Sequence, residues 1–422
     1  MKEDKTRMMT TVMKIRNCMI PAGICMMLLP ACEQKTSQQA ETAVQEYYVA
    51  AYVWPSCHDE ELSRTLIWPD GTGEWEVIRK GNRHFDGHNQ PRQPLWGYEM
   101  DDDPQVVEKW IDAAAGHGVN VFIYDWYWYN EAPFQENALN DGFLKARNRD
   151  KMQFYLMWAN HDVYRSFFNV HLYGDETSML WDARVDWRSY KALVERIIDR
   201  YFRQPNYFKI DGKPVFAVFD TNKLLESFGG SMEETCRALD YFREEVKKAG
   251  FPGLHIQWNQ PWGSMMSEER AAQFSARLDS MGYNSVAMYN MGGFNEDYLV
   301  YGAGAFRILE RMDSTVNVPV FPCVSVGWDD TPRFPDKSSD QIVHYNNTPT
   351  SFAMLLLKAK AYVDRHPGQP KLIVVNSWNE WVEGGYLLPD MLNGFGYLEA
   401  VKDVIVDGKY DGYAPVDSVS ME

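Results

Sequence analysis

The sequence is poor in several of the features that would mark other classes of protein. Arg and Lys together number 42 against 59 Asp and Glu, a formal net charge of −17. That deficit of positive charge disfavours a nucleic-acid backbone as partner, because phosphates are bound through a basic footprint. Cysteine is scarce: six in 422 residues. Cys18, Cys25 and Cys32 fall at the N-terminus, and Cys57, Cys236 and Cys323 are far apart with no CxxC pair. An odd number of scattered thiols indicates neither a zinc ribbon nor a disulfide framework, and they read as free thiols. Beyond the N-terminus there is no apolar run near the roughly 18 residues that cross a bilayer. There is no HxH or HExxH cluster to hold a catalytic metal and no GxGxxG after the first predicted strand, so neither a metal nor a dinucleotide cofactor is expected.

What the N-terminus does contain is an export signal. Lys14 and Arg16 precede an apolar stretch, Cys18 to Leu29, followed by Leu29-Pro30-Ala31-Cys32. A positive region, a short apolar core and a small-residue cleavage site form a signal peptide. Its ending resembles a bacterial lipobox, with Cys32 as the lipidated first residue. We therefore expect residues 1–31 to be a lipoprotein signal and 32–46 a polar, flexible tether. Residues 47–422 would form the catalytic domain, held at the outer membrane, on its periplasmic or surface face, by the lipid alone.

Along that domain, short β-branched or aromatic runs alternate with helical stretches. Eight runs are expected to be strands: 47–53, 119–125, 153–158, 214–220, 254–258, 281–288, 318–326 and 371–376. Strands alternating with helices argue a parallel sheet, and eight such units fit an α/β (β/α)8 TIM-type barrel. A doubly wound sheet is the alternative, but its usual Gly-rich first turn is missing.

The strand-to-helix joints carry the unusual residues. The first joint holds Trp54 and a polar group, His88, Gln90 and Arg92. The second carries Asp125, Trp126 and Trp128; the third Trp158, Asn160 and His161; the fifth Trp258 and Asn259; the seventh Trp328 and Asp329. The eighth continues through Trp378, Asn379, Glu380, Glu383 and Tyr386. Barrel active sites form from these loops, and aromatic rings beside amides suit the faces and hydroxyls of sugars. The 15 Trp and 24 Tyr of the chain agree with such a use. All of these residues are candidates for substrate binding, with Glu380 and Glu383 as the catalytic pair. Two carboxylates three residues apart would share one face of a helical turn. Paired carboxylates that close suit glycosidic cleavage with retention, and mutual repulsion would raise one of the two pKa values. Asp101-Asp102-Asp103 is a superficial DxD metal motif, but it stands just ahead of Pro104, where acidic residues cap a helix.

Asn379-Glu380-Trp381-x-Glu383-Gly384 resembles the signature of glycoside hydrolase family 99 and its WbsX-like relatives. Phe85 to Arg92, Trp158-Ala159-Asn160, Ile210 to Pro214, Trp328 to Arg333, Leu388-Pro389-Asp390 and Gly396 to Ala400 resemble further WbsX-like segments, in the same order. The resemblance spans about residues 48–404 and implies a (β/α)8 barrel. It implies a retaining glycosidase working through a 1,2-anhydro sugar, with Glu380 taking the proton of the sugar 2-OH and Glu383 protonating the leaving oxygen. It implies an α-mannoside-like or other 1,2-trans glycan as substrate. The sequence departs from the family where His161 and Asp162 follow the Trp-Ala-Asn segment and where Asp125 enters the second loop, so the sugar is not carried over. The alternatives are a non-catalytic glycan-binding lipoprotein and a WbsX-type glycosyltransferase. If Cys32 carries the lipid, Cys32→Ala should move the protein from the membrane fraction to the soluble fraction without altering its circular dichroism. Continued sedimentation with membranes would remove the lipobox assignment.

Overall fold

Each apolar run of the sequence becomes a strand because its β-branched and aromatic side chains pack well on a pleated surface buried on both faces. The computed structural model describes residues 47–409 apart from 175, 260, 266, 292–295 and 335–342. The proposed signal, tether and Cys32 therefore lie outside the described residues. The barrel strands are β1 (Tyr48–Val53), β2 (Val121–Tyr129), β3 (Gln153–Trp158), β4 (Lys213–Val218), β5 (His255–Trp258), β6 (Ser285–Ala287), β7 and β8 (Leu372–Asn376). Strand β7 comes in two pieces, Val320–Phe321 and Cys323–Ser325, on either side of Pro322, which has no N–H for the ladder.

All neighbouring barrel strands pair in parallel. Ala50 lies opposite Val121, Leu156 opposite Phe216, and Val286 opposite Val320. The sheet closes because the first piece of β7 pairs with β6 while the second pairs with β8, and Tyr48 of β1 lies opposite Leu372 of β8. The expected (β/α)8 barrel is the fold observed. In a closed ring of eight, β4 faces β8 and β3 faces β7 across the barrel, and this opposition arranges the site.

The principal helices are α1 (Pro104–Gly116), α2 (Trp187–Ile197), α3 (Met232–Lys248), α4 (Glu268–Met281), α5 (Tyr298–Thr315) and α6 (Pro349–Asp364). Each begins on a side-chain cap: Asp103, Asp186, Ser231, Ser267, Asp297 and Thr348. Such oxygens satisfy amides that have no partner within the helix. The second unit departs from the pattern. After β2 the chain returns in a short strand, Ala132–Phe134, and then makes a π-turn, Ala138–Gly142, and two short 3-10 turns, Phe143–Lys145 and Arg149–Lys151, in place of an α-helix.

The triple aspartate is structural. Asp101 is buried, accepting from Cys57 N at 2.9 Å and meeting His58 Nδ1 at 2.6 Å, while Asp103 caps α1 through Gln105 N at 2.8 Å. Cys57 and Cys323 are buried free thiols and Cys236 is a half-buried one. Asp103→Ala should lower stability by about 1 kcal/mol, the usual worth of an N-cap. Denaturant unfolding would measure this, and binding and turnover should be unchanged.

Candidate active site

Strand β8 delivers the two glutamates, though not on a helix. The spacing had suggested a helical turn. Instead Asn379–Glu380 forms a short strand paired antiparallel with Gly385–Tyr386, Asn379 opposite Tyr386 and Glu380 opposite Gly385. Glu383 occupies the turn between them. A hairpin wins because Gly384 takes φ +73°, and because a Cβ there would come within 2.5 Å of Arg92 Nη2. Ser377 Oγ ties the base of the hairpin, donating to Gly385 O at 2.5 Å and accepting from Glu380 N at 3.0 Å.

Two side-chain groups hold the hairpin over the barrel mouth. Asn379 exchanges two hydrogen bonds with the backbone of Trp54, both 2.8 Å. On the other side, Asp329 Oδ2 meets His88 Nε2 at 2.9 Å, Gln90 Nε2 at 2.8 Å and Arg92 Nη2 at 2.5 Å. Burial opposes the charge of Asp329, but the Arg92 guanidinium and the His88 hydrogen bond hold the carboxyl well below the usual range. Asp329 N then donates to Glu383 O at 2.6 Å, and Arg92 Nη1 to Trp381 O at 2.8 Å. Of the two roles open to His88, Gln90 and Arg92, holding sugar hydroxyls or orienting Glu383, these contacts with Asp329 serve the second. Tyr386 stacks on Trp381 with centroids 3.9 Å apart and donates to Asp390 at 2.8 Å.

Glu380 and Glu383 line one cavity of about 310 Å³ at the C-terminal end of the strands, together with Trp54, Asp125 and His161. These five are the sequence candidates that line this cavity; His88, Arg92, Asp329 and Tyr386 line a second one of about 550 Å³. Arg333 joins them. Its Nη1 lies 2.5 Å from Glu383 Oε1, and its Nη2 lies 3.7 Å from Glu380 Oε1 and 3.4 Å from Glu74 Oε1. Glu74 is fully buried and also accepts from Trp54 Nε1 at 2.5 Å and Ser56 Oγ at 3.0 Å. Burial, then the charges of Glu383 and Glu74, push Glu380 well above the ordinary glutamate range, against the pull of Arg333. The neutral form of Glu380 is thereby favoured relative to an exposed glutamate. Asp125 is likewise pushed up by burial. Its Oδ2 accepts from Tyr289 OH at 3.2 Å, the same hydroxyl lies 3.4 Å from Glu380 Oε2, and its Oδ1 has no partner. Burial lowers His161, which is neutral at pH 7.

The remaining candidates go elsewhere. Strand β2 runs four residues past Asp125, and at its turn Asn130 and Glu131 adopt positive φ. Alternation then sends Asp125 and Tyr127 inward and Trp126 and Trp128 outward. Trp126 donates to Glu136 at 2.7 Å, and Trp128 to Ser189 on α2 at 2.8 Å. Trp158 packs toward Tyr190 on α2, Trp258 on Phe274 of α4, and Trp378 between Trp110 of α1 and Phe122. Trp328 is half-buried and outside the cavity lining. Asn160 closes a reciprocal pair with the backbone of Asp220, at 2.7 and 2.8 Å, and Asn259 donates to Tyr52 OH at 2.5 Å beneath the cavity. Sequence reasoning missed Glu74, Arg333, Tyr289 and the apolar lining. Arg333 stood within a motif segment, whereas Glu74 lies in a long joint without any spacing signal. Among the described residues no group of His, Cys, Asp or Glu is arranged to hold a metal.

With this geometry in hand, similarity to known proteins can be placed. The family described as Glycosyltransferase WbsX matches residues 49–401. Relatives named "Uncharacterized protein WxcX", from two strains of Xanthomonas campestris pv. campestris, are 22% identical over 80% of this chain. The chain spans about half (47%) of the length of those relatives. A GH99 endo-alpha-mannosidase from Bacteroides thetaiotaomicron superposes with a TM-score of 0.55 at 14% identity, over 86% of this chain and 96% of that one. A protein described as glycoside hydrolase-like gives 0.54 at 16% identity, over 85% and 93%. At such identities the likeness is one of fold.

The raised pKa of Glu380 has a thermodynamic consequence. A carboxyl whose folded pKa lies above its unfolded value binds a proton that the unfolded chain has released. Stability is then lost as pH rises from about 4.3 through the raised value. Glu380→Gln keeps the shape and removes the titration. It should unfold at a higher temperature than the native protein at about pH 8, with the gap closing toward about pH 5. A gap independent of pH would show that Glu380 titrates normally.

Proposed function

The chain belongs to the Glycosyltransferase WbsX family, and from that premise we propose that it is a glycoside hydrolase cleaving a 1,2-trans glycosidic bond of an oligo- or polysaccharide with retention. The observation that carries this reading is the pair Glu380 and Glu383, lining one cavity and meeting one guanidinium. Arg333 lies within ion-pair reach of both carboxylates, so its charge is placed to stabilise whichever of them is ionised during the reaction. We further propose export and attachment through a lipid on Cys32.

The reaction begins with one proton on the pair. The bound sugar sets its 2-OH toward Glu380 and its glycosidic oxygen toward Glu383. The resting proton passes from Glu380 to Glu383 as the leaving oxygen arrives and Arg333 turns its charge toward Glu380. Glu380 then takes the 2-OH proton, O2 attacks C1 from the face opposite the leaving group, and Glu383 protonates the departing oxygen. Water, deprotonated by Glu383, opens the 1,2-anhydro ring at C1, and Glu380 returns its proton to O2. Two inversions give net retention. The route requires O2 trans to the leaving group, which α-mannosides, α-L-rhamnosides and β-glucosides satisfy.

The family's name supports transfer from a sugar nucleotide as the second reading. Against it, the Lys/Arg side chain that lines the cavity, Arg333, is already paired with Glu383 and Glu74, so among the described residues the lining offers a diphosphate no unpaired cation.

Glu383→Gln should reduce turnover of an unactivated glycan by about 10²-fold or more, the scale of a lost general acid, while substrate binding is kept. A 2-deoxy-2-fluoro glycoside should bind without turnover and leave no covalent adduct by intact-mass analysis. An adduct on Glu380 would replace the anhydro route with double displacement.

A further inference from the structure

On the hydrolase reading of this site, we infer that the sugar held at the carboxylates is a 6-deoxyhexopyranose, with its C5 methyl group against the wall built by β3 and β4.

The cavity has two unlike halves because opposite strands of the barrel contribute unlike residues. Glu380 and Glu383 follow β8, Arg333 follows β7, and Asp125 is on β2. The strands facing β7 and β8 supply Met157, Ala159 and Phe219, and the segment after β3 adds Phe168. Met157, Ala159 and Phe168 are almost wholly buried.

Amides and charges on that side are already committed. Asn160 is satisfied by the backbone of Asp220, and Asn259 donates to Tyr52 OH and meets Met157 Sδ at 3.0 Å. Asp162 is bound by Lys223 at 2.9 Å and by Ala183 N at 3.0 Å. The polar side chains left beside the wall are His161, whose Nδ1 lies 3.1 Å from Asp162 O, and Tyr164, which is exposed at the cavity mouth rather than against the buried wall.

A pyranose has two opposite edges. With C1 and C2 at the carboxylates, as the chemistry requires, the C4–C5 edge and its C6 substituent point to the facing wall. His161 is placed for the 4-OH. A hydroxymethyl group at C5 would bury its hydroxyl against carbon and sulfur, losing water without gaining a partner. A methyl group at C5 gains contact and loses nothing.

The test uses full-length Glu383→Gln protein and isothermal titration with matched methyl glycosides that differ only in the 6-hydroxyl. The pairs are the α-mannosides of the D and L series and the β-D-glucosides. In the tightest-binding pair, the 6-deoxy member should bind about tenfold to hundredfold more tightly, the range an apolar pocket gives against an added hydroxyl. Equal binding, tighter binding of the 6-hydroxy member, or no binding by any pair would overturn the inference. Ala159→Ser places a hydroxyl on the wall with minimal change in volume. It should reduce the ratio several-fold, and an unchanged ratio would overturn the role of the wall. Turnover by native protein of the aryl glycoside of the tightest-binding 6-deoxy sugar is read separately. A 6-deoxy ligand that binds selectively but is not cleaved would remove the hydrolase reading and leave this inference standing.

Discussion

Glu74, Glu380 and Glu383 place three carboxylates where little water reaches, and charge in such a place persists only when paired or neutralised. Both remedies are used. Arg333 contacts all three, and burial with the charges of Glu383 and Glu74 pushes Glu380 toward its neutral form. The hairpin that carries Glu380 and Glu383 is held in register by this cation from the β7 joint. The cation in turn is fixed by Glu74 from the β1 joint. Three loops distant in sequence are therefore tied at one atom group.

A second ion pair supports the first from outside the cavity. Asp329 gathers His88, Gln90 and Arg92, and its backbone N–H reaches Glu383 O. Asp329 and Arg333 belong to the same short segment after β7, so the network behind the hairpin and the guanidinium before it move together. His88, Gln90 and Arg92 thereby support the geometry of the Glu383 turn. A backbone held on both sides can present carboxylates with little freedom to reorient, which favours positioned proton transfer.

The closed barrel also separates chemistry from shape recognition. Its β7–β8 side brings charge, and its β3–β4 side brings carbon, because strands half a turn apart cannot exchange residues. The charged side holds Glu380, Glu383 and Arg333, and the facing side holds Met157, Ala159 and Phe219.

The sequence by itself determined the eight strands, their alternation with helices and hence the barrel, since hydrophobic runs and turn residues act locally. It also determined that Glu380 and Glu383 stand at the end of the last strand, where barrel sites form. It did not determine that the pair rides a hairpin, because the conformation of Gly384 depends on Arg92, almost three hundred residues earlier. It did not reveal that β2 continues to Tyr129, and that one fact turned Trp126 and Trp128 away from the cavity through strand alternation. Trp158, Trp258 and Trp378 followed outward to the helices for the same reason of facing. Glu74 was invisible, since nothing near it in the chain speaks of Arg333. Local pattern chooses the element and its order. Only the closed barrel decides which side of each strand meets the cavity, because facing depends on partners that the chain reaches from far away.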